Sequence, residues 1–390
     1  MDHKSTYHPD SPILNFCPPT LPAHWYVDPE HFKREQTAIH AKHWIYVCRE
    51  NDLPELTLRQ VEIAGQKLLL VKDDKGVVRC FHNTCRHRGS ELCQHQDTKL
   101  KAKLITCPYH GWTYDLAGQL LRTPHATTAT GFDKHDNGLF TAQVKLWNGF
   151  IYVTLADEPP DFALAPDLGE AALRNWPMQN LVTGHRLVKT IACNWKIFWD
   201  NYNECLHCPG IHASLCDMVP VYGKGVMSAG EAPEWTPDDA ICSPLKAGAR
   251  TWTKNGQLCG PEFQDLTDAQ RQSGYFFVTL MPTMYIVAHT DYVRAVSLRP
   301  LGPEETELTA EWLFPSETLA AKNFDLANVV DFATTVLLED GAACELNQRG
   351  LNNNCYTQGT LMPQEFDVFN FHQWVRSKIG EPAYATEMTT

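Results

Sequence analysis

The chain has no long apolar run. Nowhere in its 390 residues do about 18 consecutive apolar side chains occur, so no membrane-spanning helix is expected. The N-terminal string MDHKSTYHPDSPILNFC has neither an apolar signal core nor a small-residue cleavage site. These two absences predict a cytoplasmic protein with no membrane partner. Lysine and arginine form no long block, and the formal net charge is −13, which argues against nucleic acid as a partner. No Gly-x-Gly-x-x-Gly follows a strand-like run, so a nicotinamide or flavin module of that type is excluded. Internal repeats and low-complexity tracts are also missing.

Cysteine, by contrast, is plentiful. Fourteen occur. In a reducing compartment they read as thiols or metal ligands rather than disulfides, most of them small buried residues. The length and a hydrophobic content of 43% suit two or three domains with a sizeable core. Residues 28–47 carry a capping Asp28, a first-turn Pro29 and apolar Phe32, Ile39 and Trp44 near helical spacing. They predict an N-terminal helical segment, residues 1–47, that packs on the larger domain. Residues 48–155 change texture to short alternating runs punctuated by Asp-Asp-Lys-Gly, Ala-Gly-Gln and Asn-Gly, the pattern of a small antiparallel β domain. Residues 156–169 are acidic and proline-rich, a linker. Residues 170–390 mix strand runs with helices around Trp195–His207 and Ser316–Arg349. The expected class is α+β: an antiparallel β domain followed by a larger domain of helices and antiparallel sheet.

Within the β domain two short strings stand out: CRHRG (Cys85, His87) and CPYHGW (Cys107, His110). Twenty positions separate His87 from Cys107, enough to leave one loop and return beside it. Two cysteines and two histidines on facing loops can hold tetrahedral zinc. They can equally hold a [2Fe–2S] cluster with two thiolates on one iron and two imidazoles on the other. The glycines that flank each loop (Gly89, Gly111), the β surroundings and the long CPYHGW string favour the cluster. Here the chain resembles the Rieske oxygenase family, whose cluster domain carries these two strings in this order. The resemblance implies Cys85 and Cys107 on one iron, His87 and His110 on the other. His82, Cys93 and His95 lie outside the pattern. Two imidazoles raise such a cluster to roughly −150 mV or higher. It relays single electrons and needs an acceptor.

The second constellation is DNYNECLHCPGIH, residues 200–212. Its cysteines suggest a zinc knuckle of Cys205, His207, Cys208 and His212. Trp195, Phe198, Trp199, Tyr202 and Leu206 recur at near-helical spacing and predict a buried helix through His207. On it Glu204 and His207, three apart, share a face. Pro209 and Gly210 would break the helix and let His212 return beside His207. Non-haem Fe(II) that activates O2 needs two imidazoles and a carboxylate on one face. Downstream, Ala333, Val336, Leu337 and Cys344 form an apolar stripe that Asp340 interrupts, and a buried carboxylate needs a partner. Periodicity alone leaves Glu339 open as well.

The resemblance extends here. Rieske oxygenases carry an acid, a histidine three later and another five after that, matching Glu204, His207 and His212. The family's third ligand sits in a Glu-Asp pair ahead of Cys-Glu and Gln-x-Gly-Leu, which implies Asp340. Glu345 and Arg349 are then structural. Glu204 is implied to be no ligand but a bridge between an iron-site histidine and a cluster histidine of the next subunit, His110 being the cluster-side partner. That arrangement requires a head-to-tail ring, commonly a trimer. Electrons are expected from NAD(P)H through a separate flavin and iron–sulfur reductase.

Glutamate at the bridge resembles the branch that oxidises quaternary ammonium compounds such as carnitine, glycine betaine and stachydrine. The implied function is an O2-dependent monooxygenase oxygenase component that demethylates or oxidises beside nitrogen in such a small-molecule substrate. The alternatives are hydroxylation or dihydroxylation of an aromatic ring or acid and, outside enzymes, an electron-transfer or zinc-stabilised protein. A cationic substrate wants aromatic faces and no cationic neighbour. Tyr275, Phe276, Phe277, Tyr285, His289 and Tyr292 lie on strands that could supply those faces.

Overall fold

The computed structural model describes residues 11–162, 171, 173–231 and 245–385. The chain divides into two compact units, Gln36–Glu170 and Met1–Glu35 with Ala171–Thr390. Both are built on antiparallel sheets, with helices concentrated in the second, an α+β architecture. Most of the linker expected at 156–169 lies outside the described residues. No helix among the described residues is long and apolar enough to cross a membrane.

Among its described residues the first unit holds ten strands: β1 Ile45–Arg49, β2 Thr57–Ile63, β3 Gln66–Lys72, β4 Val78–His82, β5 Asp97–Lys99, β6 Leu104–Thr106, β7 Thr113–Asp115, β8 Leu120–Arg122, β9 Thr141–Trp147 and β10 Phe150–Thr154. Seven pair in the order β1-β10-β9-β4-β3-β2-β5, and β6-β7-β8 form a separate three-stranded sheet. The period-2 rule explains β3. Leu68 and Leu70 enter one apolar cluster, Leu69 and Val71 another, so both faces of this strand are covered. The second of these clusters also contains Cys85, Cys107, Trp112 and Tyr114, which places the cysteines at the core end of their loops.

The second unit contains β11 Val182–Ile191, β12 Tyr275–Leu280, β13 Met284–His289, β14 Val293–Gly302 and β15 Glu305–Phe314, ordered β11-β15-β14-β13-β12. Its helices are α1 Pro29–Glu35, α2 Trp195–Tyr202, α3 Cys208–Ile211, α4 Ala213–Met218, α5 Asp268–Ser273, α6 Ser316–Ala320, α7 Leu326–Leu351 and α8 Phe366–Lys378. The 26-residue α7 buries Val329, Ala333, Val336, Leu337 and Cys344 at helical spacing and packs on α2. Beneath α2 lies a fully buried ion pair: Lys196 Nζ is 2.7 Å from Glu35 Oε1. Lys196 also donates to Trp25 O at 2.9 Å and to Asn194 Oδ1 at 2.8 Å.

Three local expectations are corrected. The helical run through residue 47 ends early, because the β-branched, alternating Ile45–Arg49 pairs with β10 as a strand. The helix around Trp195–His207 stops at Tyr202 with Asn203 as its cap. The reason is the Glu204 carboxylate, which accepts the backbone N–H groups of Leu206 and His207 and so starts a new turn instead of continuing the old one. The Ser316–Arg349 stretch is two helices, because the Asp325 side chain accepts the Asn328 N–H at 3.2 Å and caps α7.

Candidate active site

The cluster loops are built alike. In one, Cys85 N–H donates to Ser90 O and Gly89 N–H to Cys85 O; in the other, Cys107 N–H donates to Trp112 O and Gly111 N–H to Cys107 O. Each closes on a glycine with positive φ, +75° at Gly89 and +73° at Gly111, a conformation that any other residue adopts at a cost. The repeat brings the two loops into register. Cys85 and Cys107 are buried with their thiols facing each other, while His87 is exposed. His87 Nδ1 lies 3.2 Å from His110 Nδ1. Two nitrogens bound about 2.1 Å from one tetrahedral metal lie about 3.4 Å apart, so the pair suits a shared iron. His87 stacks on Trp112 at 4.8 Å. The buried Tyr114 hydroxyl is 3.3 Å from Cys85 Sγ and accepts Arg86 N–H, a contact of the kind that tunes cluster potential.

In the second unit the turn after α2 and the middle of α7 bring together His207, His212 and Asp340. His212 Nε2 is 2.8 Å and His207 Nε2 3.5 Å from Asp340 Oδ1. Three ligands about 2.1 Å from one metal on one face lie about 3 Å apart, so these three atoms have the spacing of a facial triad. Pro209 and Gly210 lie within the single turn α3 rather than breaking a helix. Pro209 occupies a position whose missing N–H costs nothing, and His212 follows that turn directly.

Each ring offers its other nitrogen to a different carboxylate. His207 Nδ1 lies 2.5 Å from Glu204 Oε1, and His212 Nδ1 lies 2.8 Å from Glu339 Oε2. Glu339 is thus placed behind His212, a role that sequence reasoning missed; its place one residue before Asp340 was the signal available. Burial alone would strip charge from all these groups. For His207 it is outweighed by hydrogen bonds to Asp340 and Glu204, which raise its pKa to about 9. His212 is raised in the same way, and Asp340 is lowered by the two imidazoles against the opposing effect of burial.

The neighbouring cysteines are not thiols. Cys205 and Cys208 form a disulfide, against the expectation of free thiols, and both belong to an apolar cluster with Met218, Tyr222 and Trp252. Although Cys208 lies within ligand distance of His207 and His212, its sulfur is spent on Cys205. The zinc-knuckle set therefore does not assemble here.

The triad lines a cavity whose empty space is about 540 Å³, open mouth included. Its aromatic walls are Tyr202, Tyr222, Trp252, Phe277 and Tyr285. Of the six residues expected from sequence, Phe277 and Tyr285 line it, while Tyr275, Phe276, His289 and Tyr292 do not. Tyr202 and Tyr285 rings are 4.2 Å apart, and Phe277 stands edge-on to Tyr202 at 84°. The expectation of no cationic neighbour is also corrected: Arg294 lines the cavity. It sits on β14 opposite Val287 of β13, on the same sheet face as Tyr285.

Comparison with known proteins follows this geometry. Residues 43–137 match the Rieske [2Fe–2S] domain, and residues 178–381 match the ring hydroxylating alpha subunit (catalytic domain). The chain is 32% identical over 357 residues to the carnitine monooxygenase oxygenase subunit of Acinetobacter pittii (strain PHEA-2), covering 88% of each. It is 28% identical over 390 residues to the glycine betaine monooxygenase oxygenase subunit of Pseudomonas aeruginosa (strain UCBPP-PA14), covering 92% of this chain and 89% of the relative. A solved quaternary ammonium Rieske monooxygenase superposes with a TM-score of 0.69 at 21% identity, over 92% of this chain and 95% of that one. Two cluster loops, a two-histidine, one-carboxylate set and matches spanning both domains lead to one conclusion: the chain is an enzyme that belongs to the alpha subunits of the Rieske non-haem iron oxygenases.

Proposed function

We propose that this chain is the oxygenase component of a multicomponent monooxygenase that oxidises a quaternary ammonium compound at a carbon beside nitrogen. The observation that carries the reading is a single cavity lined both by aromatic rings and by His207, His212 and Asp340. The names of the carnitine and glycine betaine relatives support it. Cys85, His87, Cys107 and His110 would hold the [2Fe–2S] cluster, and His207, His212 and Asp340 the mononuclear iron. When bound, these centres supply single electrons and O2 activation, with the electrons coming from NAD(P)H through a separate cytoplasmic reductase.

The chain's own residues do the rest. Glu204 and Glu339 hold the Nδ1 protons of His207 and His212, so that in each ring Nε2, the nitrogen beside Asp340, is the one that would bind iron. The rings of Tyr202, Tyr285 and Phe277 receive the ammonium and exclude water from around it. Glu204 has a second role, as acceptor for a His110 N–H of the neighbouring copy in a head-to-tail trimer. Leu206 and Ile211, both exposed, flank it, and the exposed Tyr109 flanks His110. These are apolar contacts suited to an interface.

The test is reductase-coupled turnover of the iron-loaded protein across quaternary ammonium compounds and aromatic acids, with formaldehyde, trimethylamine and ring products all measured. One quaternary compound should yield an amine product in step with NAD(P)H consumption. Ring hydroxylation of an aromatic acid, with every quaternary compound inert, would refute the reading.

A further inference from the structure

We infer that the substrate carries a carboxylate as well as its quaternary nitrogen, and that Arg294 binds that carboxylate. The inference deepens, and rests on, the reading that the cavity takes a quaternary ammonium compound.

Arg294 is 4% exposed and lines the cavity. Its Nε is buried without a hydrogen-bond partner. Among the described residues the guanidinium makes no hydrogen bond or ion pair, and its Cζ stands 5.9 Å from the centroid of the Trp252 ring. A guanidinium cannot shed its proton as a buried lysine can. A buried charge of this kind requires an anion.

The cavity's own carboxylates are committed elsewhere. Glu204 is held by His207 and by two backbone N–H groups, and Asp340 by His212 and His207. The anion must therefore enter with the ligand. Tyr285, Arg294 and Asp340 all line this one cavity, and the Tyr285 hydroxyl is near enough to both charged side chains to feel each of them. A molecule anchored at Arg294 by a carboxylate keeps its other end within the cavity that the Tyr202–Tyr285 pair and Asp340 also line. That end carries the methylated nitrogen. The chemistry selected is a trimethylammonio carboxylate, a betaine, rather than an amino alcohol such as choline.

The decisive measurement is calorimetric binding to the iron-loaded protein. Probes are trimethylammonio carboxylates of increasing spacer length, the methyl ester of each, and choline. For the best-bound acid, its ester and choline should bind at least about 30-fold more weakly, the loss expected when a buried charge loses its partner. Arg294→Gln should bring acid and ester within about threefold of each other, and Arg294→Lys should restore part of the preference. Equal binding of acid and ester by the wild-type protein overturns the proposal without needing any variant to fold. Loss of the acid's advantage in Arg294→Gln, with ester affinity unchanged, supports it. If no quaternary compound binds while benzoate does, the quaternary ammonium reading itself has failed and the betaine anchor with it.

Discussion

Glu339 and Asp340 are neighbours on α7, and both carboxylates reach His212 at 2.8 Å. The ring separates their roles. Asp340 meets Nε2, the nitrogen that also faces His207, whereas Glu339 meets Nδ1 on the far side. Glu339→Ala removes an acceptor that fixes the tautomer and orientation of His212. Such partners are worth about 10- to 100-fold in metal affinity, or about 1.4–2.7 kcal/mol. The Glu339 side chain is 33% exposed against 16% for Asp340, so water can replace part of its hydrogen bond, and about tenfold is expected. Glu339→Gln retains an acceptor oxygen and should stay within about threefold of wild type. Asp340→Ala instead deletes a ligand, leaving two imidazoles and no charge to complement a dication. Ferrous iron should then fail to bind stoichiometrically. The assay is competition against a chromophoric chelator, with the visible absorbance of the cluster as a control for folding. Stoichiometric iron in Asp340→Ala together with its loss in Glu339→Ala would reverse the assignment and refute the argument from ring nitrogens.

Lys196→Met should destabilise the second unit by about 3–5 kcal/mol, because it leaves Glu35 buried beside Trp195 and His31 without its cation. At about 2–4 °C per kcal/mol this is a fall in Tm of roughly 6–20 °C. Burial opposes ionisation of Glu35, yet Lys196 and the hydrogen bonds from His31 and Lys196 hold its pKa below the ordinary value. The pair's stabilisation is therefore present above the unfolded-chain value, about 4.3, and is lost as pH falls through the lower folded value. The deficit of Lys196→Met should narrow over that acid range in thermal melts, and a deficit that widened there would contradict the sign. Replacing Tyr202 by Leu should raise KM for a quaternary ammonium substrate about 5- to 30-fold through the lost ring face. Steady-state kinetics with kcat reduced and KM unchanged would count against the cage. The double change Cys205→Ala, Cys208→Ala should leave iron content intact and lower stability by at most about 2 kcal/mol, because the loop it closes is so short. Metal analysis showing lost iron would instead make Cys208 a ligand.

The cluster loops were legible because everything that defines them lies within a few residues: a cysteine, a histidine and a positive-φ glycine. The spacing of Glu204, His207 and His212 was legible too, but the helix inferred beneath it was not. Helical periodicity treats Glu204 as one more position on a face, whereas its carboxylate competes for the N–H groups that would have extended α2. Asp340 was singled out by resemblance, since periodicity could not separate it from Glu339. What separates them is which nitrogen of a distant ring each one meets, a tertiary fact. The disulfide was hidden by the assumption that a reducing compartment leaves thiols free. Arg294 left a trace that went unread: Arg294, Val296 and Leu298 alternate along one strand, and an arginine on an otherwise buried face is a cation in search of an anion.

The cavity's charge arrangement discriminates among substrate classes more sharply than its aromatic walls do. A neutral aromatic ring would satisfy Tyr202, Phe277 and Tyr285 but leave Arg294 unpaired. A choline-like alcohol would place its ammonium well and leave the guanidinium in the same state. An aromatic acid would pair with Arg294, yet it would bring no cation to the aromatic rings of the cavity. On the inference drawn above, a molecule with both charges suits the guanidinium and the aromatic rings that line the one cavity. On the same inference, a carboxylate held at Arg294 leaves the carbons attached to nitrogen as the ones free to approach the triad. Oxidation beside nitrogen then follows from where the molecule is anchored, and needs no additional group to select the site of reaction.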